Sequence, residues 1–568
     1  MNKSGRLVIL VFSIVVLLVK ATPAGEVVLV EKLRSGDEAP GLEAGVSILD
    51  LSILGVDRAG RSILVGQVTG PGIDASNDFC VWRETTEGYE VVLCEGMFAP
   101  CVQPTARLAA IRDIKIAPNG AVFFRGILTG SAVSGSNNEG FWYADQEGIR
   151  MMARKGDTLV ETAGNYVLDE LFEFRANSNG VMVFEAVARD PELPGEVFEG
   201  IFWSTGSGAS APMPPGSITT VFGEEAVVTA QRDPYITDED VINFRLSAEG
   251  IDSSRLRVGI VTSSELDFIL NYEAGGMIDL GESDLFYSTI SSNLLLRSLA
   301  SNGHLTFTNT AFSSDNQGEP EEILILQETA TGLRQVFDIP FVRVATEGRE
   351  LTSLSFPESN SSGDAVFLGF SDRSETPFID NERSVWLADA EGARSLADVG
   401  QLAVGFDSTR TYSDFDFPAI NPLGQALFSG SAIDPGNPQN SERAVWATDP
   451  VGQVYLVAGT GQLINTSKHP QGSDFKQVSS VSRVSRGNGE DGDGISFSPD
   501  GSIPLTIGFE DGTTIAYVAR VQPGCSPQDL ALPHGKLDFF DLLVALPSID
   551  TAGQLDAFQA GIEEGCTR

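Results

Sequence analysis

Short apolar runs separated by turn residues follow one another along almost the whole chain. In one clear stretch the runs cover 113–117, 121–128, 140–144 and 149–154. Asn119-Gly120 separates the first two runs, and Gln146-Glu147-Gly148 separates the last two. Runs of this length between such turn residues predict four antiparallel strands joined as a meander.

The same arrangement recurs with a period near 60 residues, which is typical of a repeat protein. Each unit has a turn glycine, and we assign eight units from Gly60, Gly120, Gly180, Gly250, Gly303, Gly363, Gly424 and Gly501. A tryptophan follows the glycine by 22 or 23 residues in five units: Trp82, Trp142, Trp203, Trp386 and Trp446. A phenylalanine follows it by four residues at Phe124, Phe184, Phe307, Phe367 and Phe428. The units without tryptophan keep apolar third strands, which we assign to LDFIL, ILIL and IAYV.

Tandem four-stranded sheets bury their faces best when they pack radially, so the sequence predicts an all-β fold, a β-propeller. We expect about eight blades, with seven blades or a string of β-sandwiches as alternatives. The last unit lacks a fourth strand, and residues 26–33 read as a spare one. We therefore predict that this N-terminal strand pairs into the last blade and closes the ring.

The two ends of the chain differ from the repeats. Lys3 and Arg6 precede an apolar run over 7–19, which predicts a signal peptide over 1–24, with an uncleaved anchor as the alternative. The propeller then covers 26–522, and a small helical domain covers 525–568. We expect a secreted or cell-surface protein, probably a monomer by design of its closed ring, with no transmembrane segment after cleavage.

Charge excludes some classes of partner. The formal net charge is −41, and loss of the three basic residues of the signal peptide makes it −44. Phosphates of nucleic acid and of anionic membranes would be repelled. Hydrophobic residues make up 42% of the chain, which excludes disorder. The acidity favours solubility and attraction for cations, calcium above all.

Five cysteines in an exported protein predict disulfides. Cys80 and Cys94 flank a predicted hairpin and would face each other across two strands. Cys94 with Cys101 is the competing pair. Cys525 and Cys566 bracket the C-terminal domain as its predicted staple, so one cysteine is left over.

Three turns carry a family resemblance: ANSNGVMVFEA, SNSSGDAVFLG and INPLGQALFSG. They resemble the NxxGxxAF tandem repeat of secreted bacterial proteins, with Asn177, Asn360 and Asn421 in the asparagine place. The tail, through DLALPHGKLDFFDL and a final Gly-Cys, resembles a dockerin-like, Cys-bracketed domain. That resemblance implies calcium loops, with Asp529, Asp538 and Asp541 in ligand places.

Other candidate sites come from the residues alone. Asp491 and Asp493, in an acidic run over 488–494, are calcium candidates, with a solvated surface loop as the alternative. The Gly-Asp ends of fourth strands, such as Gly156-Asp157, read as turn formers. The tryptophans read as packing between blades rather than as sugar-stacking platforms.

Catalysis finds little support in the sequence. The three histidines lie in separate segments, at His304, His469 and His534, and no HExxH or Cys-x-x-Cys motif is present. No catalytic residue is therefore assigned.

Binding is the better supported function. Long acidic connections between second and third strands gather on one face of the predicted propeller and predict its binding face: Asp190 to Glu199, Ser313 to Glu321, Ser371 to Arg383 and Ser431 to Arg443. We expect a non-catalytic propeller that binds an extracellular polysaccharide or surface protein. A carbohydrate-active enzyme with carboxylates in its funnel is the alternative.

Overall fold

A computed structural model describes most of the chain between residues 26 and 522. The segments outside it are 1–25, 161–165, 194, 196, 207, 212–217, 222–223, 239, 251–255, 265–266, 274–276, 280–283, 288–295, 300–304, 314–321, 330–331, 341–344, 347–348, 361, 373–380, 390–391, 407–408, 469–471, 485–494 and 523–568. Within the described residues the regular secondary structure is all β-strand.

The strands form separate antiparallel sheets, which we number in chain order. Sheet 1 contains β2 (Ser47–Val56), β3 (Ser62–Thr69), β4 (Phe79–Thr85) and β5 (Gly88–Cys94). Sheet 2 contains β6 (Arg107–Ile116), β7 (Val122–Thr129), β8 (Glu139–Ala144) and β9 (Ile149–Arg154). Sheet 3 contains β10 (Val167–Ala176), β11 (Met182–Arg189), β12 (Val197–Ser204) and β13 (Ala209–Ser210). Sheet 4 contains β14 (Ile218–Val221), β15 (Glu224–Ile236), β16 (Ile242–Gly250), β17 (Leu256–Ser264) and β18 (Asp267–Glu273).

The second half of the described chain continues the series. Sheet 5 contains β19 (Met277–Asp279), β20 (Asp284–Tyr287), β21 (Leu296–Leu299), β22 (Leu305–Ser313), β23 (Glu322–Thr329) and β24 (Gly332–Pro340). Sheet 6 contains β25 (Ala345–Thr346), β26 (Arg349–Ser359), β27 (Ala365–Asp372), β28 (Asn381–Asp389) and β29 (Gly392–Asp398). Sheet 7 contains β30 (Thr411–Phe415), β31 (Ala419–Ile420), β32 (Ala426–Asp434), β33 (Asn437–Thr448) and β34 (Val454–Gly459). Sheet 8 contains β35 (Leu463–Asn465), β36 (Phe475–Arg483), β37 (Ser502–Phe509), β38 (Thr514–Gln522) and β1 (Glu26–Arg34).

The N-terminal strand belongs to the last sheet, as predicted. β1 pairs antiparallel with β38, from Glu26 opposite Gln522 to Arg34 opposite Ile515. An ion pair attaches β1 to the first sheet as well, because the Lys32 ammonium lies 2.7 Å from the Glu84 carboxylate. The two ends of the repeat array are therefore joined to each other.

Aromatic side chains fill the spaces between neighbouring sheets. Trp142 of sheet 2 stacks on Phe124 with ring centroids 5.6 Å apart, and both pack against Val65 and Val81 of sheet 1. Three tryptophans also donate their indole N–H to a carbonyl 42 residues earlier: Trp82 to Pro40 at 3.1 Å, Trp142 to Pro100 at 3.1 Å and Trp446 to Val404 at 3.0 Å. These buried rings have no face available to a sugar.

Trp203 departs from the repeat position predicted for it. Phe202 takes the inward place in sheet 3 and stacks on Phe184 with centroids 5.8 Å apart. Trp203 is opposite Val183 and packs, half-buried, on the core between sheets 3 and 4. Successive strand residues point to opposite faces, so a shift of one residue moves the indole to the other side of the sheet.

The fourth unit also corrects the sequence assignment. Its first turn runs from Thr237 to Asp240, and Asp240 has the positive φ of 63° that glycine supplies elsewhere. Gly250 instead ends β16, where it pairs with Ala226. Aspartate tolerates the left-handed conformation better than most residues, so this turn carries no glycine signal. Moving the turn also makes LDFIL the fourth strand of its sheet rather than the third.

Several predicted features lie outside the described residues. They are the signal peptide over 1–24, the C-terminal domain over 525–568 with Cys525 and Cys566, and the calcium candidates Asp491, Asp493, Asp529, Asp538 and Asp541. The three histidines lie outside as well.

Candidate functional site

The Asn-Gly turns hold neighbouring sheets together at one end of the fold. In sheet 7 the buried Asn421 side chain accepts the N–H groups of Leu423 and Gln425, each at 3.0 Å. Its amide nitrogen then donates to the carbonyl of Ser498 in the turn of sheet 8, at 3.2 Å. Asn177 bonds Thr237 of sheet 4 in the same way at 2.7 Å, and Asn360 bonds Asn421 at 3.2 Å. These asparagines are scaffold.

A cleft of about 300 Å³ opens between sheets 7 and 8. It is lined by Asp416, Phe417, Ser429, Arg443, Ala444, Val445, Val481, Ser482 and Arg483. The volume is at the lower end of the range for small-ligand sites. We call it the 7/8 cleft.

An interrupted first strand makes room for the cleft. β30 ends at Phe415 and β31 begins only at Ala419. Pro418 lies between them and has no N–H for the ladder, so the strand cannot run through. Asp416 remains attached to the sheet because its N–H donates to the Ser429 carbonyl at 2.8 Å. The break leaves Asp416 and Phe417 at the cleft wall.

A small residue on the second strand keeps the space open. Ser429 follows the repeat Phe428, and the matching residue of sheet 2 is Arg125, which follows Phe124. The Arg125 side chain reaches across to sheet 3 and donates to the Leu171 and Phe172 carbonyls at 3.2 and 3.3 Å. Serine is too short to span the same gap, so an open space remains beside it.

One chain of hydrogen bonds connects the polar groups of the cleft. Ser429 Oγ donates to Asp416 Oδ2 at 3.0 Å and accepts from Arg483 Nε at 3.2 Å. Arg443 donates through Nη2 to the same Asp416 oxygen. Arg483 also donates to the carbonyls of Val484, at 3.0 Å, and of Phe417. Two guanidinium groups thus share one carboxylate, and the four side chains carry a net charge of +1.

A matching arginine lies in the neighbouring sheet and outside the cleft lining. Arg383 and Arg443 each come three residues before a tryptophan, in NERSVW and SERAVW. Arg383 is paired with Asp414 at 2.6 Å, and 44% of its side chain is exposed against 53% for Arg443. The two arginines therefore have similar settings, and one of them faces the cleft.

The long acidic connections contribute little to this cleft. Of the four predicted stretches, the one from Ser431 to Arg443 is a hairpin rather than an irregular loop, because β32 continues to Asp434 and β33 begins at Asn437. Arg443 lies at its end and is the residue of this stretch that lines the cleft. Residues 314–321 and 373–380 of two other stretches lie outside the described part of the chain.

The carboxyl groups with raised pKa values serve turns between sheets. Burial raises the pKa of Glu95, and burial also raises the pKa of Asp157. Glu95 accepts the Ile111 N–H at 3.0 Å, and Asp157 accepts the Arg154 N–H at 2.8 Å. Neither residue lines the 7/8 cleft. Gly156, which precedes Asp157, has a φ of 87°, so this Gly-Asp pair is a turn former as expected.

The cysteines of the described region follow one of the two predicted pairings. Cys80 and Cys94 are directly opposite on β4 and β5 and form a disulfide. Cys101 is a free, exposed thiol. The alternative pairing of Cys94 with Cys101 is therefore wrong. Within the part of the chain that the structure describes, no three His, Cys, Asp or Glu side chains cluster in a way that could hold a metal ion. Among those residues there is also no helix with the length and apolarity needed to span a bilayer.

The sheets, the cores between them and the pairing of β1 with β38 define the protein as a β-propeller. The chain belongs to a family of unknown function, DUF7453, whose model matches residues 20–214 and 223–522. No curated protein matches the sequence.

Solved structures similar to this chain are propellers or contain them. The Dos1 propeller is 9% identical, with a TM-score of 0.34 over 86% of this chain and 95% of that one. The propeller domain of the Trilobed protease from Pyrococcus furiosus is 8% identical, with a TM-score of 0.29 over 70% and 94%. An oligogalacturonate lyase from Vibrio parahaemolyticus is 10% identical, with a TM-score of 0.30 over 88% and 99%. Similarity at this level indicates neither a ligand nor a reaction for this chain.

Proposed function

We propose that the protein is a secreted, non-catalytic propeller of eight blades that binds an extracellular polysaccharide through the 7/8 cleft. The proposal includes a monomer retained at the cell surface through its C-terminal domain. The single observation that carries it is the composition of the cleft. Two arginines, a serine and a carboxylate supply hydrogen bonds, and Phe417 supplies an aromatic wall. Sugar rings are recognised by this combination of polar groups and an aromatic face.

Binding is preferred to catalysis because of the carboxylates. Glycoside hydrolysis ordinarily needs two carboxyl groups flanking the bond. Asp416 is the one acidic residue among those that line the cleft, and it is paired with Arg443. Ser429 donates its proton to Asp416, and none of the described lining residues is a histidine that would activate it. These contacts favour a groove that holds a ligand without transforming it.

A glycan array with the mature protein tests the proposal, followed by titration calorimetry on each saccharide that binds. The Phe417→Ala variant removes the aromatic wall and should weaken binding at least tenfold. Phe475→Ala is the control, because Phe475 is an exposed phenylalanine of sheet 8 outside the cleft lining. Melting curves of both variants show whether they are folded.

Two results would overturn the proposed function. One is the absence of binding to any saccharide, with a surface protein captured instead. The other is the release of shorter saccharides from a bound polysaccharide, which would assign the protein to the carbohydrate-active enzymes.

A further inference from the structure

We infer that the 7/8 cleft selects a sugar unit that carries a carboxylate, a uronate, and that Arg443 binds this group. The inference rests on the proposed function and specifies its ligand. It follows from the local charge, from the way Arg443 is held and from the size of the cleft.

The cleft is an electropositive spot on a strongly acidic protein. The chain carries a formal charge of −41, with 37 lysines and arginines against 78 acids. In the cleft the proportion is reversed, since two arginines accompany one aspartate. A ligand with one negative charge would neutralise the remaining +1. A ligand group with two negative charges would be repelled by Asp416 beside the same arginine.

Arg443 is positioned by one partner and has donors left for another. Its Nη2 donates to Asp416, and among the described residues no other hydrogen bond of its side chain is present. Arginine has five N–H donors in a planar fork that matches a carboxylate. Because Asp416 fixes one edge of the guanidinium, the opposite edge is oriented before the ligand arrives. Such preorganisation lowers the entropic cost of binding.

Arg483 has a different part in the cleft. It donates to Ser429, to the Val484 carbonyl and to the Phe417 carbonyl, which commits its guanidinium to the wall. These bonds hold Phe417 and Ser429 beside each other. Arg483 therefore shapes the cleft and adds positive potential, and Arg443 makes the contact with the ligand.

The remaining walls suit a sugar ring. Phe417 is half-buried and presents its ring to the cleft, and Ser429 offers a hydroxyl. About 300 Å³ holds one or two sugar units. A free carboxylate of a peptide would use the same arginine, so the test has to separate the two sources.

Calorimetry on the mature protein at pH 7 and about 0.15 M salt makes the test, since the Debye length is then about 8 Å and long-range repulsion is screened. The probes are trimers of glucuronate and of galacturonate, their methyl esters, the neutral trimers and a short peptide with a free C-terminal carboxylate. We expect at least one uronate trimer to bind about ten- to a hundredfold more tightly than its ester, because the ester lacks the charge-assisted hydrogen bonds.

Two arginine variants locate the contact. Arg443→Gln should reduce uronate binding to the level of the ester. Arg383→Gln, the matched exposed arginine of the neighbouring sheet, should leave uronate binding unchanged. Equal binding of uronate, ester and neutral trimers would overturn the inference and leave the proposed function standing. Tighter binding of the peptide than of every saccharide would overturn both, and so would the absence of saccharide binding.

Discussion

The side-chain amide of Asn421 donates to the carbonyl oxygen of Ser498, 77 residues further along the chain, at 3.2 Å. The same side chain closes its own turn through its oxygen. One asparagine thus performs a local task and a long-range task, and the two use different atoms. This division suggests how the turn repeat contributes to stability.

Asn421→Ala should lower the free energy of unfolding by about 2 to 4 kcal/mol. The substitution removes the turn bonds and leaves the Ser498 carbonyl buried without this donor, and unmade buried hydrogen bonds cost about 1 to 3 kcal/mol each. Urea unfolding measures the loss. Leu423→Ala, at an exposed position of the same turn, should change stability by less than about 0.5 kcal/mol. Equal effects of the two changes would contradict the role assigned to Asn421.

Replacement of tryptophan by phenylalanine should have unequal costs at two repeat positions. Trp142→Phe loses the bond to Pro100 and leaves a gap in the core between sheets 1 and 2, which should cost about 2 to 3 kcal/mol. Trp203→Phe, at the half-buried position, should cost less than about 1.5 kcal/mol. Thermal and urea unfolding of both variants make the comparison. The assignment of Trp203 to a different packing place fails if the costs are the same.

The attachment of β1 to sheet 1 should weaken in acid. Burial by itself raises the pKa of Glu84, but hydrogen bonds from Lys32 and Ser62 outweigh it and hold the pKa below its usual range. A carboxylate with a lowered folded-state pKa stabilises the fold above its unfolded pKa, about 4.3, and that stabilisation is lost as the pH falls through the lowered value. The stability difference between the protein and Glu84→Gln should therefore be largest near pH 7 and shrink below about pH 4.

Urea unfolding at pH 7, 5, 4 and 3 checks this dependence. Glu90→Gln is the control, because the pair that Glu90 forms with Arg83 is exposed at the glutamate and exposed pairs contribute little. A difference for Glu84→Gln that is the same at all four pH values would show that the carboxylate does not stabilise the closure in its charged form.

The cysteines give a covalent prediction. Alkylation of the unfolded, unreduced mature protein should add one group, at Cys101, if Cys80 is bonded to Cys94 and Cys525 to Cys566. Peptide mapping by mass spectrometry identifies the linked pairs. A peptide that joins Cys101 to another cysteine, or a second alkylated site, would contradict the scheme. Removal of the Cys80–Cys94 bond as a double alanine variant should cost about 3 kcal/mol, given its short loop.

The sequence predicted the sheets well because their signals are local. Turn glycines, apolar runs and the spare strand over 26–33 each depend on a few neighbouring residues. The prediction was wrong where a residue of another type adopts the same conformation, as Asp240 does in place of a glycine. It was also wrong at Trp203, where one residue of register decides the face.

The 7/8 cleft was beyond the reach of the sequence. Its space depends on what Ser429 lacks in comparison with Arg125, and its charge depends on a contact between Arg443 and Asp416 from different strands. One signal was present: Arg443 is part of a stretch that the spacing placed at the binding face. The repeat match between Arg383 and Arg443 could also have marked both positions as charged exceptions on apolar strands.

The pairing of β1 with β38 has a consequence for the birth of the molecule. The strand that leaves the ribosome early has its partner almost at the end of the described chain, with Glu26 opposite Gln522. At about 5 to 20 residues per second, translation of the intervening chain takes about 25 to 100 seconds. Throughout that time an apolar strand edge is available to the wrong neighbour. Slow, late ring closure makes the nascent propeller a natural client for chaperones, and it places the hazard at the first strand rather than at the last.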